Sequence, residues 1–204
     1  MCSLNYVYFA YGSCMDQNDF HRTCPTGEKL YEDAVLPRYR LRFNGYSGAR
    51  MGGVANIHVD NRTETHGVLW VIKKGLEIKA LDRREGAPWF YRRIPVTVRV
   101  GRHEVPAFTY EIVRPLKKEI APSYQYAKLL YSSIYNTKYF KKVFKHISDL
   151  QQKEQAALEK MRWNDYGASW VGNSDFKYYE DFQRSGSYYY EDAWNNWGGK
   201  YDAV

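Results

Sequence analysis

The chain has 204 residues, 44% of them hydrophobic, which is enough apolar material for one substantial core. Its formal net charge of +7 comes from scattered basic pairs mostly flanked by acids, a pattern typical of a solvated surface and not of a nucleic-acid interface. Because no apolar run is long enough to span a membrane and the N-terminus lacks the features of a secretory signal, we expect a cytoplasmic protein with no nucleic-acid or membrane partner.

The three cysteines, Cys2, Cys14 and Cys24, all lie in the N-terminal part of the chain. They are too few and too close to the N-terminus to form a disulfide framework, and no spacing of histidine and cysteine is typical of a zinc site. We therefore expect free thiols in a reducing compartment and a protein without metal or other cofactor.

The N-terminal segment predicts a strand, a tight turn and the start of a helix. An apolar run at residues 6–10 is followed by Tyr-Gly-Ser-Cys at residues 11–14 and by a polar segment at residues 15–20. Consecutive backbone N–H groups in such a turn point into one small space, which can hold a carboxylate or a developing oxyanion. Glycine after a strand is usually part of an ordinary turn, so the segment alone favours a structural role.

Further strands are predicted where apolar and polar residues alternate. The pattern is clearest at residues 38–43 and 94–100, where one face is apolar, as in strands with one buried side. Strands of this kind, with a helix between two of them, favour an α+β fold with a small closed or nearly closed sheet. The six predicted strands are residues 6–10, 38–43, 53–59, 66–72, 94–100 and 105–112.

Three helices are predicted, at residues 73–84, 123–135 and 137–161. The expected contacts of the first helix with the sheet are the apolar residues at helical spacing, Leu76, Ala80 and Leu81. The last helix has an apolar stripe that we interpret as core, formed by Phe140, Val143, Phe144, Ile147 and Leu150. Periodicity alone does not distinguish a barrel with outer helices from another α+β sheet.

The first of these helices ends with an acid directly before a glycine. Glu85 and Gly86 lie in a segment that also contains several arginines. The ordinary interpretation of such a glutamate is a helix-terminal acid that pairs with a nearby cation, here Arg83 or Arg92. A carboxylate held in a pocket can instead transfer protons during catalysis.

Together, these segments resemble the γ-glutamylcyclotransferase family. Its members carry a Tyr-Gly-Ser or Tyr-Gly-Thr loop after an N-terminal strand, then a Leu-Asp-x-x-Glu-Gly segment followed by a tyrosine. This chain has the corresponding residues at positions 11–13, 81–86 and 91, and further similar segments at 53–57, 67–70 and 122–126. The resemblance extends from about residue 6 to about residue 160. It implies a small mixed β-barrel with helices packed outside and an active pocket at one mouth.

The resemblance also implies an enzyme that acts on γ-glutamyl compounds. The free α-amine of such a compound attacks its own γ-carbonyl, which closes 5-oxoproline and releases the attached amine or amino acid without metal or cofactor. One carboxylate can take a proton from the attacking amine and return it to the leaving nitrogen, and Glu85 is our candidate for this step. Partial burial that raises the pKa of this carboxyl would suit it to both proton transfers.

The expected substrate-binding residues belong to the glycine loop and to tyrosines at positions where relatives have pocket aromatics. They are Tyr11, Gly12, Ser13, Cys14, Met15, Tyr91, Tyr110 and Tyr126. A side chain at Gly12 would block the approach of ligand to backbone, and the loop N–H groups would bind either the α-carboxylate or the oxyanion of the tetrahedral intermediate. Cys14 stands where relatives often have Asn or Thr, and we do not expect it to act as a nucleophile. Asp82 is expected to support the site by bonding a backbone group.

The C-terminal segment differs from the catalytic domain that we predict for residues 1–162. Residues 163–204 are crowded with Tyr, Trp, Gly, Asn and Asp, and they could cover the pocket, mediate self-association as a homodimer or remain disordered. The alternative to an enzyme is a non-catalytic module on the same fold that binds a small molecule or a protein through this segment. Fold alone does not decide between the two.

Overall fold

Five β-strands close into a mixed barrel in the structure, a computed structural model that describes residues 5–135 and 137–165. The strands are β1 Tyr6–Ala10, β2 Glu28–Ser47, β3 Gly52–Ile72, β4 Tyr91–Val100 and β5 His103–Ile112. Around the barrel they follow the order β1-β3-β2-β4-β5, and β5 closes the barrel by pairing parallel to β1. The other neighbouring strands are antiparallel. The predicted α+β barrel is therefore confirmed.

The helices within the described residues are α1 Gln17–His21, α2 Gly75–Arg84, α3 Tyr124–Ile134 and α4 Phe140–Asp165, with 3₁₀ turns at Ser13–Met15 and Gly48–Arg50. Over the same residues, none of these helices has both the length and the hydropathy that a membrane crossing requires. The chain divides into two units, residues 1–155 and 156–204, and the barrel belongs to the first. Most of the predicted C-terminal segment lies outside the described residues.

Two long strands replace shorter predicted ones, so the prediction of six strands is wrong. β3 continues through polar residues that are mostly half-buried or exposed, and such a stretch of strand needs no apolar face. Across Arg38, whose φ is 63°, the pairing of β2 with β3 shifts register, as at a bulge. The predicted strands that prove to be parts of longer ones are residues 38–43 in β2, and 53–59 and 66–72 in β3.

A buried tryptophan anchors the loop that follows β1. The indole of Trp70 on β3 stacks on Phe20 of α1 at a centroid distance of 4.2 Å, and both side chains are fully buried. Its Nε1–H donates to the backbone carbonyl of Cys14 at 2.9 Å. Trp70 therefore fixes the backbone of the glycine loop before any ligand contact is made.

Helix α2 packs on the barrel through Leu81, as predicted, and Ala80 is half-buried, but the predicted contact at Leu76 is wrong. Leu76 is 76% exposed, whereas Ile78 and Leu81 are buried. Glu77 is also buried, and it accepts hydrogen bonds from the backbone N–H and the hydroxyl of Thr26. Because these bonds satisfy the Glu77 carboxylate, its side of the helix can turn inward and Leu76 turns to solvent.

Helices α3 and α4 follow the prediction closely. Ser123 caps α3 by accepting a hydrogen bond from the backbone N–H of Tyr126 at 3.3 Å, and Tyr126 itself is buried. Gln151 of α4 donates to the backbone carbonyl of Pro122 at 3.0 Å, which joins the last helix to the start of α3. The predicted apolar stripe of α4 is buried or half-buried throughout, at Phe140, Val143, Phe144, Ile147 and Leu150.

Candidate active site

A cavity of about 40 Å³ lies where β1, β3, β4, β5, α2 and α3 meet. It is lined by Tyr8, Tyr11, Gly12, Ser13, Cys14, Ala55, Glu85, Tyr91, Tyr110 and Tyr126. All of the site residues predicted from the sequence are among them except Met15, which is buried in the core. A larger groove of about 780 Å³, between β2 and β4, contains none of the predicted residues.

The glycine loop contributes backbone groups to the cavity. The N–H groups of Met15 and Asp16 close the 3₁₀ turn by donating to Gly12 O at 2.9 Å and Ser13 O at 3.1 Å. The turn itself does not use the N–H groups of Ser13 and Cys14, as expected for the first residues of a helical turn. A Cβ atom at Gly12 would lie only 3.3 Å from the hydroxyl of Tyr126, so a larger residue would intrude on the cavity.

Glu85 reaches the cavity from the C-terminal end of α2. Its N–H donates to Leu81 O at 2.9 Å, and the chain then turns at Gly86, whose φ is 64°. The Glu85 Oε1 atom accepts a hydrogen bond from Cys14 Sγ at 3.7 Å, which connects the helix end to the glycine loop. The acid and the loop, 71 positions apart in sequence, thus form facing walls of one cavity.

The structure does not support the ordinary interpretation of Glu85 as the partner of a surface cation. Arg92 pairs with Glu111 across β4 and β5, and Arg83 is exposed. Over residues 5–135 and 137–165, we find no ion pair of Glu85 with a lysine or arginine within 4 Å.

Burial controls the acidity of Glu85. It raises the pKa of this carboxyl above its usual range and outweighs the opposing effects of the Arg84 guanidinium and the Cys14 hydrogen bond. A carboxylate with a raised pKa is a stronger base and exchanges its proton closer to neutral pH. The site therefore contains one group suited to accept a proton and then return it.

Two tyrosines form hydrogen bonds with the backbone of Ala55. The hydroxyl of Tyr91 donates to Ala55 O at 2.6 Å, and the hydroxyl of Tyr126 accepts from Ala55 N at 3.3 Å. Burial raises the pKa of both tyrosines, so both hydroxyls keep their protons at neutral pH. Because the Tyr126 oxygen acts as acceptor toward Ala55, its own proton is left to donate elsewhere in the cavity.

Two other tyrosines are tied to each other and to α2. The hydroxyl of Tyr11 donates to Tyr110 O at 2.5 Å, and the hydroxyl of Tyr110 donates to Asp82 Oδ1 at 2.7 Å. Asp82 also forms an ion pair with Arg93. The expectation that Asp82 bonds a backbone group is therefore wrong, because its partners are side chains. It supports the site by holding Tyr110.

The thiol of Cys14 is buried and protonated. Burial raises its pKa far above the usual range, and the neighbouring Glu85 carboxyl raises it further. Since the thiolate is the nucleophilic form of cysteine, this environment disfavours covalent catalysis by Cys14. Within the residues that the structure describes, no group of His, Cys, Asp and Glu side chains is arranged to hold a metal ion.

Several residues at the site were missed in the sequence. Tyr8 was one of 20 tyrosines with no local mark of its role, and Ala55 contributes through its backbone. Behind the cavity wall, Arg50 and Arg84 both bind the carboxylate of Asp19. The position of Arg84 directly before the catalytic candidate could have suggested a role, but nothing local in the sequence links Arg50 to the site.

Comparisons with known proteins identify the family of the chain. A family model described as "Gamma-glutamyl cyclotransferase, AIG2-like" matches residues 8–128, a range that contains every residue lining the cavity. No curated protein sequence matches the chain.

Three solved structures share the fold at a TM-score of 0.63. One protein, named gamma-glutamyl cyclotransferase, is 25% identical over 69% of this chain and 86% of its own. An uncharacterized protein from Homo sapiens is 26% identical over 68% of this chain and 86% of its own. YkqA from Bacillus subtilis is 27% identical over 72% of this chain and 55% of its own.

Proposed function

The chain belongs to the gamma-glutamyl cyclotransferase, AIG2-like family, and we propose that it releases 5-oxoproline and an amine or amino acid from a γ-glutamyl compound. The observation that carries this proposal is the position of Glu85. Its carboxyl, with a pKa raised by burial, faces the glycine loop across a small cavity lined by tyrosines. A proton-exchanging group opposite a set of backbone N–H groups is the arrangement that this intramolecular acyl transfer needs.

In the proposed reaction, Glu85 moves one proton between two nitrogen atoms. The carboxylate takes a proton from the α-amine as its nitrogen attacks the γ-carbonyl carbon and a new C–N bond forms. The protonated Glu85 then gives that proton to the leaving nitrogen as the original C–N bond breaks. The ring of 5-oxoproline and a neutral amine result, so neither water nor an oxidant is consumed.

The cavity is too small to enclose a whole γ-glutamyl compound. Its volume of about 40 Å³ is far below the roughly 300–1,000 Å³ of sites that enclose a whole drug-sized ligand. A narrow cavity favours a curled substrate, and placing the amine and the carbonyl in contact removes much of the barrier. We therefore propose that the leaving group stays outside the cavity, beyond the tyrosine walls.

The glycine loop and two arginines suit the negative charge of this substrate. The N–H groups of Ser13 and Cys14 would hold the α-carboxylate or the oxyanion of the tetrahedral intermediate. Arg84 and Arg50 lie behind the loop, where their positive charge favours either anion. Tyr126 has a hydroxyl proton free to donate to the same group.

The proposal is tested by incubating the full chain with a panel of γ-glutamyl amines, amides and dipeptides and measuring 5-oxoproline by mass spectrometry. We expect release from at least one compound, and a loss of about a hundredfold or more in Glu85→Gln. Glu154→Gln, an exposed change on α4, is the matched control and should keep full activity. Binding of these compounds without any 5-oxoproline would contradict the proposal and favour the non-catalytic module. Activity of Glu85→Gln within a few-fold of the unmodified protein would remove Glu85 from the mechanism.

A further inference from the structure

A single buried carboxylate connects the parts of the site. Asp19, on α1, is 8% exposed, and its Oδ2 atom is bound by Arg84 Nη2 at 2.5 Å and by Arg50 Nη2 at 3.0 Å. Arg84 also donates to the backbone carbonyl of Asp19 at 2.6 Å and to Thr23 Oγ1 at 3.1 Å. Such a pair is favourable only when the remaining buried hydrogen-bonding groups are satisfied, and no fully buried side-chain atom of Asp19, Arg50 or Arg84 lacks a partner.

Each of these contacts leads to a different wall of the cavity. Arg84 precedes Glu85 at the end of α2, and its Nη2 donates to Ser13 Oγ on the glycine loop at 3.2 Å. The guanidinium of Arg50 lies 5.5 Å from the ring centroid of Tyr126 on α3. The glycine loop, the Glu85 helix and the Tyr126 helix therefore meet at Asp19.

We propose that Asp19, Arg50 and Arg84 form a positioning cluster that holds the glycine loop against Glu85 and sets the balance of charge around its carboxyl. This inference rests on the function proposed above. None of the three residues lines the cavity, so they act through Ser13, Glu85 and Tyr126 and not by touching substrate. The rigid fork of Arg84 suits this role, because its several donors bind the loop and the carboxylate together.

The cluster contains the ionised groups that act most strongly on the Glu85 carboxyl. The two arginines lower the pKa of its carboxyl and Asp19 raises it. Asp82 and Arg93 form a pair behind Tyr110, and Arg22, 81% exposed, reaches Asp19 Oδ1 from solvent at 3.8 Å. The other titratable groups that face Glu85 stay neutral at neutral pH because burial raises their pKa values, namely Cys14, Tyr8, Tyr11, Tyr91, Tyr110 and Tyr126.

Charge changes in the cluster should therefore shift the titration of Glu85 in opposite directions. Removing a positive charge with Arg84→Gln or Arg50→Gln should raise the pKa of Glu85, and the shift should be larger for Arg84, which has the stronger effect. Removing the negative charge with Asp19→Asn should lower it, because two arginines are then left uncompensated. A cluster with only a structural role would give a different pattern: each variant would loosen the site, admit water and lower the pKa of Glu85.

The test is to measure the pKa of Glu85 by ¹³C NMR of the carboxyl groups in the full chain, with the signal assigned from Glu85→Gln. The pH profile of kcat/KM is measured in parallel, and its acid limb should move with the NMR value. Arg83→Gln is the matched control, because it removes the same charge from an exposed position on the same turn and should leave the titration nearly unchanged. Arg84→Lys keeps the charge but not the fork, so it should preserve the pKa of Glu85 and lower kcat.

The outcomes separate this inference from the proposed function. Opposite shifts by NMR without 5-oxoproline release would support the charge balance and contradict the cyclotransferase. Turnover with a pKa that falls in both arginine variants would overturn the cluster and leave the cyclotransferase standing. If circular dichroism shows that Asp19→Asn does not fold, the test rests on the other two variants. The pKa of Glu85 should then rise in both Arg50→Gln and Arg84→Gln.

Discussion

Glu85 is distinctive because its ionised carboxylate destabilises the folded protein. Most glutamates at helix ends stay in solvent, where the carboxylate is hydrated, but this one is placed against buried tyrosines and a thiol. The same burial that raises its pKa makes it a better base and makes the ionised form unfavourable in the folded state. A catalytic role for Glu85 therefore implies a specific dependence of stability on pH.

Glu85→Gln should stabilise the protein at neutral pH. A carboxyl whose pKa is higher in the folded than in the unfolded state contributes stability below its unfolded pKa, about pH 4, and loses it as the pH rises through the folded value. The uncharged amide does not lose stability in this way. The free energy of unfolding of the variant should therefore increase relative to that of the unmodified protein as the pH rises through this range. Urea unfolding of both proteins between pH 4 and pH 8 measures the difference. A gap that does not change with pH would show that the carboxyl is not perturbed in the folded protein.

Cys14→Ser should leave turnover within a few-fold of the unmodified protein. The serine hydroxyl can donate to Glu85 as the thiol does, and burial already keeps the thiol protonated and unreactive. Steady-state kinetics and iodoacetamide treatment of both proteins check this, with Cys14→Ser showing any labelling at Cys2 and Cys24. An inactive variant, or inactivation of the unmodified protein from which substrate protects, would restore the thiol as a nucleophile.

At the scale of elements, the site depends on how closely the glycine loop approaches its neighbours. β1 stops at Ala10, the chain turns within a few residues, and Trp70 holds the Cys14 carbonyl. At this turn the hydroxyl of Tyr126 leaves little room beyond Gly12. The room at this turn is therefore limited by the close approach of the Gly12 backbone to the Tyr126 side chain.

Gly12→Val should lose substrate binding and about a hundredfold or more of activity. Its Cβ would lie 3.3 Å from the Tyr126 hydroxyl, and the branched methyl groups would extend into a cavity of about 40 Å³. Calorimetric titration with a slowly reacting γ-glutamyl compound and steady-state kinetics measure both effects. Gly48→Val is the control, because a Cβ there meets open space, and it should bind and react normally. Normal turnover in Gly12→Val would mean that substrate does not approach this loop.

The sequence predicted the presence of most helices and strands better than the residues at which they begin and end. Helix α3 and the strand β5 have strong local signals, and their bounds lie within a few residues of the prediction. Only part of β2 was predicted, and β3 was divided in two, because alternation fails where a strand is exposed or bulged, as at Arg38. The face of α2 was misjudged at Leu76 because the hydrogen bonds that bury Glu77 come from Thr26, about fifty positions away in sequence.

At the scale of the whole molecule, the site residues with local sequence signals could be predicted, and those brought together by long-range contacts could not. Glu85, Gly12 and Tyr91 belong to short motifs and were identified through a family resemblance. Arg50 and Asp19 lie 31 positions apart and are joined only by folding, so neither carries a local mark. Candidate site residues can thus be predicted from motifs, whereas the residues proposed to position them are brought together only by long-range packing.

A chain that ends at Asp165 should fold cooperatively and keep its activity. All residues that line the cavity fall between Tyr8 and Tyr126, and ending at Asp165 keeps α4 whole, although the predicted domain boundary follows residue 162. Residues 166–204 are rich in tyrosine and tryptophan, so their loss should change the range of substrates or the oligomeric state. Thermal unfolding, kinetics on the γ-glutamyl panel and light scattering of both chains test this. Identical selectivity and mass would show that the segment neither selects substrates nor forms a homodimer contact, and an unfolded truncated chain would show that the folded domain extends beyond Asp165.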